Sequence, residues 1–248
     1  MEFENIQKRS EVEYLSRDQI SRRAMDMVQA VFKSAPSSLR PQPVERLISI
    51  FQEKGWLKFS HDEDLGELPG SRKILGEFSV EPFRIKIDRS LSAGSPRFMF
   101  TLAHEIGHFC LHRRMIGVGK FISREQLPRD AEDHLRYREM ATLSDLGWAE
   151  WQANEFAMAL ILPQLSLMTE VVRIQREIGV INNQGIMFFD DQPSNIMDCR
   201  RITATLALHY HIPRGAIWKR LRYLGILQDR RKDNVRRAYE ETDSLFYT

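Results

Sequence analysis

An α+β fold, mainly helical with one small antiparallel sheet, is predicted by three features of the sequence. Apolar residues recur at helical spacing on both sides of a single stretch of strict alternation. In that stretch Phe83, Ile85 and Ile87 interleave with Arg84, Lys86 and Asp88, the pattern of a half-buried strand. The 248 residues, 42% hydrophobic and 28% charged, suffice for one large domain or two small ones and exclude a wholly disordered or fibrous chain.

The elements follow in order. Ser16-Arg17-Asp18-Gln19 has the form of a capping box, and Ile20, Ala24, Val28, Val31 and Phe32 continue at helical spacing up to Pro36. A second helix is expected from Pro43, with Val44, Leu47, Ile48 and Phe51 on one face and Gly55 as its stop. Ile74, Gly76 and Phe78 precede the alternating stretch across Glu81-Pro82, so two antiparallel strands are expected. Ser95-Pro96 caps and opens a third helix, anchored by Phe98, Leu102, Ile106 and Phe109 and running to about Arg114. Gly117 and Gly119 interrupt the pattern, and 120–146 is polar enough to predict a partly helical excursion. Helices are then expected over 148–162, closed by Pro163, and over 165–178. A loop is expected over 182–198, and two further helices flank His211-Ile212-Pro213. These boundaries divide the chain into an N-terminal helical region (1–55), a core (56–164) and a C-terminal helical region (165–248).

Two cysteines, Cys110 and Cys199, are too few for a disulfide framework and fit a reducing compartment. The acidic N-terminus lacks an apolar run behind it, and no segment approaches ~18 consecutive apolar residues. A soluble, cytoplasmic protein without a membrane partner is expected. Net charge is only +2, yet eleven Lys or Arg face two Asp between Arg200 and Arg237, leaving the remainder acidic. That asymmetry fits either an anionic partner or a solvated basic face and tail.

The third helix carries His104-Glu105-Ile106-Gly107-His108, an HExxH sequence. Residues four apart share a helical face, so two imidazoles can hold one zinc ion. Glu105 then stands beside the metal, placed to take a proton from an activated water. Catalytic zinc takes a third protein ligand. His112 continues the series but lies ~12 Å of helical rise from His104, too far to share one ion, and is expected to be a supporting or surface residue. Glu150 and Asn154, four apart on the next helix, offer a carboxylate ligand with a polar partner. Glu155 is the rival, rotated by roughly 140° from Glu150. A thiol could take the fourth zinc position, although both cysteines suit a buried structural role better. No oxyanion donor is singled out among His112, His134, Tyr137, His209, Tyr210 and His211.

Two strings carry a resemblance. Arg97-Phe-Met-Phe-Thr-Leu-Ala-His-Glu-Ile-Gly-His-Phe-Cys-Leu-His112 and Glu150-Trp-Gln-Ala-Asn-Glu-Phe-Ala-Met-Ala-Leu-Ile-Leu-Pro163 resemble the paired motifs of the ImmA/IrrE zinc metallopeptidases. With the preceding strands the likeness spans about 55–163. It implies a zincin-like core, one zinc per chain (manganese serving in vitro), His104 and His108 as ligands and Glu105 as acid/base. Glu150 would be the third ligand with Asn154 behind it. Ile161-Leu162 replaces the family's commoner Leu-Met, and the connection between the motifs is longer than usual.

Residues 202–227 have the pattern of a helix-turn-helix, with Ala207, Ile212, Ile217 and Leu221 at packing positions and His211 where glycine is usual. Either the pair braces the fold, or Arg214, Lys219, Arg220 and Arg222, with Trp218 and Tyr223, contact operator or single-stranded DNA. The resemblance implies cleavage of a partner repressor of the XRE-like helix-turn-helix kind, derepressing stress, mobile-element or phage-defence genes. A DNA-binding regulator with a structural or vestigial zinc site, and one half of a toxin–antitoxin module, are the alternatives.

Overall fold

A computed structural model describes residues 12–31, 44–68, 72–114, 120–124 and 145–231. Expectations for Phe32 to Pro43, Gly117, Gly119, residues 125–144 with His134 and Tyr137, and the tail beyond Arg231 lie outside them. The fold is α+β, with seven helices among the described residues. It divides into two units, the first ending at Leu160 and the second beginning at Ile161.

In the first unit α1 (Arg17–Val31) opens with the reciprocal capping bonds its sequence predicts. Ser16 N–H donates to Gln19 Oε1 at 2.8 Å and Gln19 N–H to Ser16 Oγ at 3.3 Å. Helix α2 (Val44–Glu53) buries Leu47, Ile48 and Phe51. The strands are β1 (Lys58–Ser60), β2 (Glu67–Leu68), β3 (Arg72–Val80), β4 (Phe83–Ile87) and β5 (Lys120–Arg124), in a sheet ordered β1-β4-β3-β2 with β5 also on β3.

This sheet corrects two expectations. It is mixed, because β1 pairs parallel with β4 while β3 pairs antiparallel with β4, β2 and β5. A parallel pair is joined only by a long connection, so local alternation carries no sign of it. The start of the expected excursion, Lys120–Arg124, is a strand and not helical: Phe121 lies opposite Phe78 and is buried between the sheet and the HExxH helix.

That helix, α3 (Pro96–His112), is capped by Ser95, whose side chain accepts from Phe98 N–H at 3.2 Å. It packs on β3 and β4 through Phe109, whose ring meets Phe51, Phe78 and Phe83 at 5.4–6.0 Å. Helix α4 (Asp145–Ile161) buries Ala149, Trp151, Ala153, Phe156, Ala157 and Leu160.

The second unit holds α5 (Gln164–Glu177), β6 (Met187–Phe189), α6 (Pro193–Tyr210), α7 (Arg214–Tyr223) and β7 (Leu227–Asp229). The loop expected over 182–198 instead contains β6 and the first turn of α6. Met187 and Phe189 are buried where β6 pairs parallel with β7, a partner 40 residues along the chain and invisible locally. His211 takes the left-handed conformation (φ 52°), serving where glycine was expected, and Ile212, Ile217 and Leu221 are buried as predicted. Ala207 is half-buried, and Leu206 points into the core in its place. No single described helix is long and apolar enough to cross a membrane.

Asp88, fully buried at the end of β4, gathers the loop after β1. It accepts from the backbone of Leu65 (2.8 Å) and Ser90 (2.9 Å) and pairs with Lys73 at 3.2 Å. Burial alone would raise its pKa, but these bonds outweigh it and hold the carboxyl well below the usual carboxylate range. A depressed folded pKa stabilises the fold above the unfolded value of about 3.9 and loses that contribution as pH falls below it. Asp88→Ala should therefore cost about 3 kcal/mol at neutral pH. In urea titrations between pH 7 and 3 the parent should lose its advantage over the variant only at the acid end. A constant difference across that range would contradict this role.

Candidate metal centre

The centre is built where α4 meets α3 at Gly107. A Cβ there would stand 3.1 Å from Ala153 O and 3.2 Å from Ala153 Cα, so any larger residue would force the two backbones apart by a few tenths of an ångström. The contact brings Glu150, Gln152 and Asn154 of α4 against the three histidines of α3.

His104 Nε2, His108 Nε2 and a Glu150 oxygen lie within 4.8 Å of one another. Glu150 Oε2 is 3.3 Å from His104 Nε2, Glu150 Oε1 is 3.4 Å from His108 Nε2, and the two imidazole nitrogens face each other at 2.9 Å. The other ring nitrogens are held from behind: Asn154 Oδ1 is 2.9 Å from His104 Nδ1, and His112 Nδ1 is 3.0 Å from His108 Nδ1. Two imidazoles and a carboxylate converging on one point, each ring oriented by a further polar group, is a donor set that fits a divalent metal. The histidines are buried, whereas the Glu150 side chain keeps 35% of its surface, so the cluster is open to solvent on that side.

The electrostatics agree with a site for positive charge. Burial disfavours the protonated form of His104, but the Glu150 bond and charge, with Glu105 and Asn154, outweigh it and raise its pKa. His108 is pushed down to about 3, chiefly by burial, with the neighbouring His104 and His112 adding to it against Glu150. His112 is pushed down to about 4, again by burial first. Glu150 lies well below the usual carboxylate range because its bonds to His104 and His108 outweigh its burial.

Glu105 is fully buried on the same helix. Its carboxylate occupies space left by Gly76 on β3, where a Cβ would come within 2.5 Å of Glu105 Oε1. Phe121 of β5 stacks on the His108 ring with centroids 4.3 Å apart and planes 18° from parallel.

The structure separates the two rival carboxylates: Glu150 faces the histidines, whereas Glu155 pairs with Arg17 of α1 at 3.3 Å. His112 is neither a ligand nor a surface residue but a buried support for His108. Both its nitrogens are engaged, the second by Gln152 Oε1 at 3.1 Å, so it is no oxyanion donor. Neither cysteine belongs to the donor cluster. Cys110 is half-buried with its thiol pKa raised by burial, and Cys199 is buried in the second unit and pushed up to about 12 by burial and nearby aspartates. Sequence reasoning missed Gln152, Gly76 and Phe121. Gln152 lies about 200° around the helix from Glu150, so spacing offers no reason to choose it.

The basic residues of the second unit need correction. Arg220 is buried, its Nε donating to Leu162 O at 3.2 Å, and cannot present its charge to a phosphate. Arg214 is half-buried and donates to Arg200 O and Thr203 Oγ1 at 3.3 and 3.4 Å. Trp218 is buried against Phe189 (4.7 Å, nearly perpendicular) and offers no face to a base. Tyr210, a candidate oxyanion donor, shares a buried bond with Ser166 at 2.8 Å. Lys219 and Arg222 are exposed.

Comparison with models of known protein families gives no match for this chain, and a search of curated proteins likewise gives none.

If the cluster holds a divalent metal, assayed with zinc, Glu150→Ala should strip most of it, whereas Glu155→Ala should retain it. Asn154→Ala should fall between them, weakening affinity by ~10–100-fold through His104. Metal stoichiometry and chelator competition on the purified variants check this ordering, and zinc lost from the Glu155 variant alone would reverse the assignment. In the second unit Arg220→Ala should cost about 2 kcal/mol of stability, since it removes a buried charge-assisted bond. Lys219→Ala/Arg222→Ala should leave the unfolding midpoint unchanged, as thermal melts of both would show.

Proposed function

We propose that this chain is a cytoplasmic zinc endopeptidase of regulatory type, with a zincin-like core resembling the ImmA/IrrE metallopeptidases. One observation carries the reading: two buried histidines and a partly open glutamate from a neighbouring helix converge on one point, and the fully buried Glu105, whose charge acts on His104, completes the HExxH arrangement. His104, His108 and Glu150 would hold the ion. When bound there, a zinc ion would supply Lewis acidity, which would lower the pKa of water to about 7 and polarise a carbonyl.

The chain's own groups do the rest. Glu105 accepts a proton from the attacking water and delivers it to the leaving amine. The absence of a side chain at Gly76 is what lets the Glu105 carboxylate sit where it does. Asn154 and His112 hold the imidazoles so that both Nε2 lone pairs point at the same spot.

An extended peptide would lie along the sheet. Strand β4 (Phe83–Ile87) is interior to that sheet, flanked by β1 and β3, and offers no free edge. Among the described residues β5 pairs only with β3, and its Phe121 stacks on His108, so it is the strand beside the ligands along which a peptide would add.

The substrate proposed is a repressor of the XRE-like helix-turn-helix kind, whose cleavage would derepress stress, mobile-element or phage-defence genes. This rests on the motif resemblance. The alternative of a DNA-reading regulator is weakened by the burial of Arg220 and Trp218.

Glu105→Gln should bind zinc as the parent does and lose proteolysis by a factor of ~10²–10⁴, because it removes a proton acceptor and no ligand. Gly76→Ala should act in the same direction by displacing the carboxylate. Both are checked by incubating purified, zinc-loaded protein with an XRE-like helix-turn-helix repressor from the same source and following cleavage by mass spectrometry. Undiminished cleavage by Glu105→Gln would sink the mechanism.

A further inference from the structure

The amide of Gln152 connects the metal centre to the segment before α1. Gln152 is 1% exposed, and its Nε2 donates to the backbone carbonyl of Glu13 at 2.8 Å. A carbonyl oxygen only accepts, so the amide nitrogen must face it and the amide oxygen must face His112. Gln152 Oε1 lies 3.1 Å from His112 Nε2, which therefore donates. A neutral imidazole has one N–H, so His112 Nδ1 carries a lone pair. That lone pair meets His108 Nδ1 at 3.0 Å, which must in turn donate. His108 Nε2 is left with its lone pair aimed at Glu150 and His104.

The Glu13 carbonyl is held independently of this chain of bonds. Leu15 is buried, Tyr14 meets Trp148 of α4 edge-on at 5.1 Å, and Arg17 pairs with Glu155 of α4 at 3.3 Å. The second ligand has a shorter version of the same device, Asn154 Oδ1 accepting directly from His104 Nδ1. Two amides of α4, two residues apart, thus orient the two imidazoles of α3.

We propose that the Glu13 carbonyl, Gln152 and His112 form a positioning relay that sets His108 in its Nδ1–H tautomer before any metal binds, making the N-terminal segment part of the metal centre. An unconstrained neutral imidazole in water prefers the opposite, Nε2–H form, which cannot ligate through Nε2. The tautomer is decided by the bond that the other nitrogen makes. The relay rests on the metal reading given above only for its purpose; the tautomer itself is a property of the metal-free chain.

The test is a two-bond ¹H–¹⁵N correlation spectrum of the metal-free full chain at pH 8, with zinc affinity measured beside it by chelator competition. The parent should show the Nδ1–H form at His108. Gln152→Leu removes the terminal acceptor and should shift His108 toward Nε2–H, weakening zinc by ~10–100-fold. His112→Asn keeps an oxygen acceptor near the place of Nδ1 and should preserve both the tautomer and most of the affinity. A packing role predicts the reverse order, because losing the buried ring of His112 from Phe121 is the larger change. An Nε2–H form in the parent, or a His112→Asn variant more impaired than Gln152→Leu, overturns the relay. A parent that binds no zinc overturns both the relay's purpose and the peptidase. Failure to cleave the regulator, with tautomer and affinities as expected, counts against the peptidase alone.

Discussion

The candidate metal centre depends on the contact between α3 and α4 at Gly107. An α-helix normally keeps its neighbours 8–10 Å away, axis to axis, by the side chains between them. Here a glycine on one helix lies against an alanine backbone on the other, and the polar side chains flanking that contact are drawn within hydrogen-bond reach. A side chain at Gly107 would push the helices apart by a few tenths of an ångström and loosen the contacts of Glu150, Gln152 and Asn154 with His104, His108 and His112. The same residue lies inside the HExxH sequence, so ligand spacing and helix approach are encoded in five consecutive positions.

Burying three imidazoles, two amides and a carboxylate in one place is costly unless each polar atom finds a partner. The network meets this condition by chaining the groups together. Asn154 serves His104, His112 serves His108, Gln152 serves His112, and a backbone carbonyl serves Gln152. Such networks specify a unique arrangement because any member turned the wrong way leaves another unsatisfied. The aromatic wall of Phe51, Phe78, Phe109 and Phe121 surrounds α3 and β3 and limits the room for alternatives.

The second unit shows how charge counted along a sequence differs from charge offered to a partner. Its basic residues look like one patch when read in order, but the fold uses several of them internally. Arg220 holds the Leu162 carbonyl, Arg214 reaches Arg200 and Thr203, and Arg230 and Arg231 lie over Phe188 and Phe189. A guanidinium can bond carbonyls and stack on rings while still counting as a positive charge.

By itself the sequence determined the features that depend on local spacing. The capping box at Ser16, the Ser95-Pro96 helix start, the alternation over Phe83–Asp88 and the HExxH face all follow from periods of 3.6 or 2. The pairing of Glu150 with Asn154 followed from the same rule, and the carboxylate opposite the histidines is Glu150. Tertiary structure alone decided what depends on distant partners: the parallel pairing of β1 with β4 and of β6 with β7, the strand at Lys120–Arg124, the space that Gly76 leaves for Glu105, and the path from His108 to Glu13. Those contacts join residues separated by up to 139 positions, as between Glu13 and Gln152. No periodicity reports such a pairing, because it is created by the way helices and strands pack and not by the spacing within any one of them.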